Sequence, residues 1–414
     1  VKIAVIGTGI SGLTAAYLLH RDFDLTVYEA NGYVGGHTNT VDVTLPEGRY
    51  AVDTGFIVFN EVTYPNFCRI LDRLGVASQL SRMTFSVKSE KTGLEYNPHN
   101  LNTFFAQRKN LVSPSFWRMI LEIFRFRRRF DHLLKFTDQA VPLARTLHDQ
   151  GFSSRFIEQF ITPLGSSLWS ADPKGFEDFP LQTFVRFFKN HGFLELRNPF
   201  PWRVIRGGSR QYVKKLTAGF TDRIRTNTPV TGIQRFDDRV EVTDRRGEKA
   251  AYDQVILAVH SDQALSLLTD ATPAEKEILG AIPYQENDTV LHTDSRILPE
   301  RRWIWASWNY LIPKETQNRG ILTYDMNILQ TLRASREFCV TLNRTEAIDP
   351  KEIKARFTYH HPVFSTRAPE AQRRRDEISG LNRTHFCGAY WGYGFHEDGV
   401  QSALPVARWF GKEL

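Results

Sequence analysis

Residues 3–19 read IAVIGTGISGLTAAYLL, and this stretch decides the fold. Ile3 to Ile6 form a short apolar run of the kind that is buried on both faces of a parallel sheet. Gly7, Gly9 and Gly12 follow in GxGxxG spacing, and Ser11 to Leu19 continues as an Ala/Leu-rich helix. Gly7 permits the tight turn, Gly9 lets backbone approach a pyrophosphate, and Gly12 lets helix and strand pack closely. Free N–H groups at Ile10 and Ser11, with the positive end of the helix dipole, suit that anion. The next apolar strand, LTVYEA, closes on Glu29 and Ala30, where a carboxylate suits the two hydroxyls of an adenosine ribose. Strand, glycine turn, helix, strand and acid in this order predict an α/β dinucleotide-binding unit. This pattern alone fits NAD and FAD equally.

Working outward, 414 residues are about right for two domains. A chain 41% hydrophobic and 24% charged is globular, not disordered. Basic residues outnumber acidic ones 53 to 46. That excess fits anionic lipid, nucleic acid, an acidic ligand or simple solubility. No known nucleic-acid motif occurs, so no nucleic-acid partner is expected. Cys68, Cys339 and Cys387 lie far apart without CxxC spacing. They argue against a disulfide framework or a zinc site and fit a reducing compartment. The chain enters a strand pattern at once, so no signal peptide is expected. No apolar run reaches the ~18 residues of a spanning helix. HExxH, GxSxG and Walker patterns are missing, and no metal is expected.

Residues 31–40, NGYVGGHTNT, place Gly35-Gly36 just after the ribose acid, and 51–60, AVDTGFIVFN, carry Asp53 and Gly55. With these segments the chain resembles the flavin amine oxidase superfamily, which includes monoamine oxidases, protoporphyrinogen oxidase and phytoene desaturase. The resemblance implies FAD as cofactor. It implies a Rossmann-like FAD-binding domain of monoamine oxidase type with an interleaved α+β substrate domain. It lays Gly35 and Gly36 along the FAD diphosphate and adds Thr54, Gly55, Phe56 and Ile57 to the cofactor site. The family usually continues GGR, but His37 stands here. Histidine can still donate to phosphate, with less charge and no fork.

Later segments look like the family's returns to this domain. They include RVIRGGSRQYVKKL (203–216), with Gly207 and Gly208 entering a helix, and NTPVTGIQRFDDRVEV (227–242). By resemblance, the backbone at Val230 meets the adenine side. YDQVILAVHS (252–261) brings Ala258 and Val259, and HFCGAY (385–390) brings Gly388 to the phosphates and ribitol. HEDGVQSALPVARWF is expected to open a helix at about Gly399, capped by Asp398, with free N–H groups at Val400 and Gln401. By resemblance that helix start faces the flavin pyrimidine edge, and GAYWGYGFHEDG (388–399) closes over the flavin. The expected FAD-binding domain is 1–75, 203–270 and 371–414. The expected substrate domain is 76–202 and 271–370.

Within the latter, SPSFWRMILEIFRFRRRFDHLLKF (113–136) starts with Ser113 as cap and Pro114 at the first turn. Phe116, Met119, Ile120, Ile123, and Phe126 or Phe130 recur at helical spacing, with Arg118, Arg125, Arg127, Arg128 and Arg129 on the rest. Two readings stand side by side: an interfacial membrane helix near 115–130, or a core helix with a solvated basic face. FPLQTFVRFFKNHGFLEL (179–196) could line a channel or fill a core. RRWIWASWNYLIP (301–313) reads as a strand forming one wall of an apolar pocket. Thirty phenylalanines fit either an apolar substrate or a Phe-rich core.

VDTGFIVFN, ENDTVLHTD, WIWASWN and CGAYWGYGFHEDG together are similar to a bacterial group of FAD proteins. That group is linked with cyclopropane-synthase-like lipid methyltransferases and with methyl-branched and furan fatty acids. The resemblance implies a desaturase of a methyl-branched unsaturated acyl chain held in phospholipid. A lipid methyltransferase would be its partner, and its place would be cytoplasmic, at the inner membrane face. His396 is then the candidate base, Asn60 a substrate-orienting group and Tyr390 a wall of the flavin face. Alternatives are a double-bond isomerase, an amine or isoprenoid oxidase, and a flavin-holding lipid-binding factor. Against an amine oxidase, no lysine occurs between Lys276 and Lys314, and Cys387 is a poor counterpart of the covalent-flavin cysteine.

Overall fold

The computed structural model describes residues 1–133, 141–169, 172, 175–191, 200–315 and 317–414. Residues 134–136 and 192–196 of the two aromatic segments, and the side chain of Phe130, lie outside the described residues.

At the centre is a five-stranded parallel sheet, in the order Ile224–Arg225, Asp24–Tyr28, Lys2–Ile6, Gln254–Leu257, Thr384–Phe386. The first strand lies in the middle, so Ile3, Ala4 and Val5 are fully buried. That is why the strand reads as an unbroken apolar run rather than an alternating one. Helix Ile10–Leu19 is enclosed nearly all round, between this sheet and the C-terminal helix His396–Trp409. A Cβ on Gly399 would stand 2.6 Å from the Ile10 side chain, so the two helices meet at their N-terminal ends.

A seven-stranded sheet forms the second layer. Its order is Ile353–Pro362, Tyr284–His292, Cys339–Leu342, Ile321–Asp325, Trp308–Ile312, Phe85–Ser89, Glu95–Tyr96. Only the pairing of 308–312 with 85–89 is parallel; it joins chain pieces far apart in sequence. Helix Thr162–Trp169 packs on the strand Trp308–Ile312, Phe116 of helix Pro114–Arg128 meets Tyr96, and helices Leu143–Asp149 and Leu181–Asn190 pack on each other beside them. Their shared core is aromatic, with Phe116, Phe126, Phe156, Phe184 and Phe188 at most 1% exposed.

Three local expectations change. Residues 301–313 are not one strand: Arg302–Ile304 is a helical turn and the strand is Trp308–Ile312. The tryptophans also part company, Trp303 being exposed and Trp305 donating its indole N–H to the Pro299 carbonyl (2.7 Å). The C-terminal helix begins at His396, not near Gly399. Asp398 is therefore inside the first turn, where it reaches back to accept from the Phe395 N–H (2.9 Å) instead of occupying the cap itself.

Candidate active site

The glycine turn is built by exclusion. Gly7 has φ +102°, and a Cβ there would lie 2.8 Å from the Ala258 carbonyl oxygen. At Gly12 the added atom would sit 2.1 Å from the Gly7 oxygen. At Gly9 it would meet nothing within 4 Å, because that side opens into a cavity of about 730 Å³. Glu29, 5% exposed, accepts from the N–H groups of Thr8 (3.1 Å) and Asn31 (2.8 Å) and from the Thr8 hydroxyl. A Cβ on Gly36 would come 3.1 Å from Gly9 Cα, so the second glycine turn lies directly on the first.

This cradle fits a dinucleotide. It has a helix N-terminus left without a side-chain cap, a buried carboxylate at the end of the second strand, and bare backbone between them. Two buried ring nitrogens facing the same cavity, His37 Nε2 and His260 Nδ1, have no hydrogen-bond partner within the protein.

Of the cofactor residues expected from sequence, Gly7, Gly9, Ile10, Ser11, Glu29, Ala30, Gly35, Gly36, His37, Gly55, Phe56, Ile57, Val230, Ala258, Val259 and Gly388 line this cavity. Five others stand a layer behind it. Gly12 packs under Gly7, and Gly399 packs on Ile10 and Ser11. Val400 is core, Thr54 bonds the Tyr359 hydroxyl (2.7 Å) and the Asn39 carbonyl, and Asp398 serves its own helix turn. Burial pushes the Asp398 carboxyl up to about 7, against the Phe395 and Tyr393 N–H groups that lower it.

The three catalytic candidates fare differently. Asn60 is spent on its own turn. Its carbonyl accepts from Val62 N–H (3.0 Å) and Thr63 N–H (2.8 Å), and its amide donates to the Thr63 hydroxyl (2.8 Å). It does not line the cavity and cannot orient a substrate there. His396 stacks flat on Phe56, with ring centroids 3.5 Å apart, and its Nε2 is bound to the Tyr212 hydroxyl (2.9 Å) and Thr38 hydroxyl (3.1 Å). Burial, reinforced by His37, holds its pKa well below the ordinary histidine value. A general base needs a free nitrogen and a pKa near the working pH, and the engaged Nε2 and lowered pKa both weigh against His396 in that role. Tyr390 does form cavity wall, 1% exposed and pressed on Gly388, with a buried hydroxyl that finds no good partner.

At its other end the cavity is aromatic. Met83, Leu168, Trp169, Phe187, Trp202, Trp308, Tyr324, Tyr393 and Phe395 line it. Phe395 stacks on Phe187 (4.8 Å) and the Trp169 indole donates to the Tyr393 carbonyl (3.0 Å), so the glycine-rich C-terminal loop and the helical layer close on each other. Among the described lining residues of the whole cavity the only carboxylate is Glu29, and none is Lys or Arg.

Sequence reading also missed a group of histidines beside the second glycine turn. The His37 ring lies 5.2 Å from His361 and 6.4 Å from His260, and stacks on Tyr359 at 5.0 Å. His260 stacks on Tyr284 (4.1 Å). Among the described residues no group of three or more potential ligands is arranged to hold a metal ion.

The family model for flavin containing amine oxidoreductases matches residues 10–291. The chain belongs to that family. It is an FAD-dependent oxidoreductase, and the glycine cradle has the build that a dinucleotide cofactor requires. Cyclohexylamine oxidase from Brevibacterium oxydans has a similar structure, with a TM-score of 0.71 at 16% identity, covering 99% of each chain. A CLA-producing fatty acid isomerase from P. acnes gives 0.68 at 17% identity, over 99% of this chain and 98% of that one. At such identities these flavoenzymes share the fold alone. Protoporphyrinogen oxidase 2 of Arabidopsis thaliana is 27% identical over 183 residues, which are 42% of this chain and 33% of that protein. The matched stretch thus spans about a third of that relative.

Proposed function

We propose that this flavoenzyme desaturates a methyl-branched, unsaturated acyl chain while the chain is still esterified in a phospholipid. The observation that carries the reading is the missing charge at the aromatic end of the cavity. An ammonium substrate calls for a carboxylate or a comparable partner, and a free fatty acid calls for Lys or Arg. Neither stands among the described residues of the aromatic end; Glu29, the one carboxylate among the described lining residues, lies in the glycine cradle, bound to Thr8 and Asn31. An uncharged chain, its carboxyl tied up as an ester, needs only the apolar wall that is present. The fatty acid isomerase of the same fold lends the substrate class support without deciding it.

When bound, FAD supplies a hydride acceptor at its ring N5. The protein's part is to bind, orient and keep dry. Trp169, Phe187 and Trp308 fix the path of the chain, Tyr390 and Phe395 limit its approach, and the loop of 388–395 excludes water. Removing hydride next to a methyl branch leaves positive charge delocalised over the neighbouring double bond. Loss of a proton, released in the end to solvent, then completes a conjugated diene, and the two electrons taken up as hydride are passed to an oxidant such as dioxygen or a quinone. The methyl branch itself requires a preceding lipid methyltransferase, the partner class we propose.

One observation favours a second reading, double-bond isomerisation. Among the described lining residues of the aromatic end no carboxylate, Lys or Arg stands ready as a base, His396 Nε2 is engaged, and burial raises the phenols of Tyr64, Tyr324 and Tyr390. Returning the hydride elsewhere on the chain needs no base. Anaerobic mixing with phospholipid bearing methyl-branched monounsaturated chains separates the two. Flavin bleaching with loss of two hydrogens from the lipid supports desaturation. A moved double bond at unchanged mass supports isomerisation, and bleaching by amines alone overturns both.

A further inference from the structure

The arginine-rich helix Pro114–Arg128 carries two apolar stripes, one buried and one exposed. Its inner face, Phe116, Met119, Ile120 and Phe126, is at most 9% exposed and fills the protein's own core. Those residues, the ones the helical periodicity singles out, cannot meet lipid. Trp117, Leu121 and Phe124 form a separate stripe at i, i+4 and i+7, and are 42%, 65% and 47% exposed. The preceding turn extends it with Leu111 and Val112, 47% and 84% exposed, and the Trp117 indole donates to the Leu111 carbonyl (2.8 Å), tying the two parts together. Scattered exposed apolar side chains need no explanation, but five large ones side by side do.

Along the helix itself the exposed charge has one sign, although Arg125 and Arg129 also bond to Gln150, beside the exposed Asp149. Arg128 continues the exposed stripe at i+11, and Arg118, Arg125, Arg127 and Arg129 flank it. The helix's one acid, Glu122, is turned inward, 5% exposed, accepting from the Ser153 N–H (3.0 Å) and from Arg118 (3.1 Å). Behind the stripe, the helix leads to the cavity through two aromatic contacts: Phe126 to Phe184 (6.3 Å), and Phe184 to Trp169 (6.3 Å), which is cavity wall.

From this we infer that Leu111, Val112, Trp117, Leu121 and Phe124 insert into the surface of an anionic bilayer, with the arginines of the same helix on its headgroups. The apolar stripe supplies depth and the arginines supply sign; a protein partner or a second copy of the chain would have to offer an acidic rim around an apolar groove. No helix among the described residues is long and apolar enough to cross a membrane, so attachment by this helix is to one face. The inference deepens the lipid reading above, because a bilayer held here faces the helical layer that walls the cavity.

The test is flotation of the purified holoprotein with vesicles of saturated phosphatidylcholine, with and without phosphatidylglycerol. Saturated chains offer no substrate, so failure to bind leaves the desaturase reading to the bleaching experiment, run on detergent-dispersed lipid. Binding is expected only with phosphatidylglycerol. It should fall about fivefold for each of Arg127→Gln and Arg128→Gln. It should be lost in Leu121→Asp with Phe124→Asp, flavin content being unchanged. If the double variant destabilises the helix, Val112→Asp, outside the helix, keeps the question open to decision. Equal binding to both vesicles, binding unaffected by either the Asp or the Gln variants, or no binding with a concentration-dependent dimer that these substitutions abolish, would each overturn it.

Discussion

Two glycines, one in each half of the molecule, show how differently the halves are specified. Gly12, in the first helix, would with a Cβ meet the Gly7 carbonyl oxygen at 2.1 Å. Gly165, in the helix Thr162–Trp169, would meet the Phe176 ring at 1.9 Å. The distances are alike, but the obstacles are not. A carbonyl fixed between strand and helix has nowhere to go, whereas a ring in a layer of rings can be replaced. The dinucleotide cradle is specified by backbone geometry, and the aromatic layer by volume.

The largest expected effect follows directly. Gly12→Ala should yield no folded, flavin-loaded protein, because both obstacles at that site, the Gly7 oxygen and Ala258 Cβ at 3.0 Å, sit directly after central strands and are tied to the sheet by backbone hydrogen bonds. Flavin content and a thermal melt read it, and a near-normal melt would remove the backbone half of the comparison. Gly9→Val sharpens it, since a Cβ there meets open space. The fold should persist, with unchanged near-ultraviolet circular dichroism of the flavin-free protein, while flavin content drops to near zero. Retained flavin would mean that the cradle is not where the cofactor lies.

Smaller is the effect expected in the aromatic layer. Gly165→Ala should cost about 1–3 kcal/mol through overpacking, measured by denaturant unfolding. Adding Phe176→Leu should restore most of it, because the smaller side chain vacates the space. No second-site change of a side chain should rescue Gly12→Ala. If Phe176→Leu fails to help, the layer is not a repackable volume.

The same difference explains what could be read in the sequence. Glycine spacing, apolar strands and the ribose acid report local backbone rules, and so most residues named for the cofactor cavity do line it. Where a side chain had a local alternative, sequence reading failed. Asn60 stands three residues before Thr63, a turn signature visible in the chain and stronger than the substrate role assigned to it. Asp398 stands three residues after the cap Phe395 and bonds back to it for the same reason. Trp169, Phe187, Met83 and Tyr324 come from four separate segments, and only tertiary packing brings them to one cavity. Periodicity on the arginine-rich helix found its core face and passed over the exposed stripe, because an apolar residue reads alike on either side. The histidines meet only through the pairing of Tyr284–His292 with Ile353–Pro362, which places His361 near the loop of His37.

The smallest effect expected concerns those histidines, and it tests whether a side chain can tune a site that backbone defines. Burial, with weaker repulsion from His360, lowers His37 to about 4, and burial with repulsion from His37 and His360 lowers His260 to about 3. His361 lies well below its ordinary value for the same causes. Around them stand the phenols of Tyr284 and Tyr359, which burial keeps protonated, and Glu286, which pairs with His360 at 3.4 Å. Tyr33, on the His37 loop, donates to the Gly36 carbonyl (3.2 Å), and Glu29 closes the cavity on its far side. Because these folded pKa values lie below the unfolded value of about 6.5, the flavin-free protein binds fewer protons folded than unfolded. Its stability is therefore full above that pH and is lost as pH falls toward 4. If the cofactor's anionic diphosphate lies beside His37, it reverses the preference and draws a proton in, so flavin affinity should rise as pH falls from 8 to 6. One proton taken up gives at most about tenfold per pH unit. Flavin fluorescence after dilution of the holoprotein measures the release. His37→Arg carries its charge at every pH, and should hold flavin more tightly at pH 8 with a flatter profile. His37→Gln should be flat and weak. An unchanged slope in both variants would place the proton elsewhere and leave the cofactor site to its backbone alone.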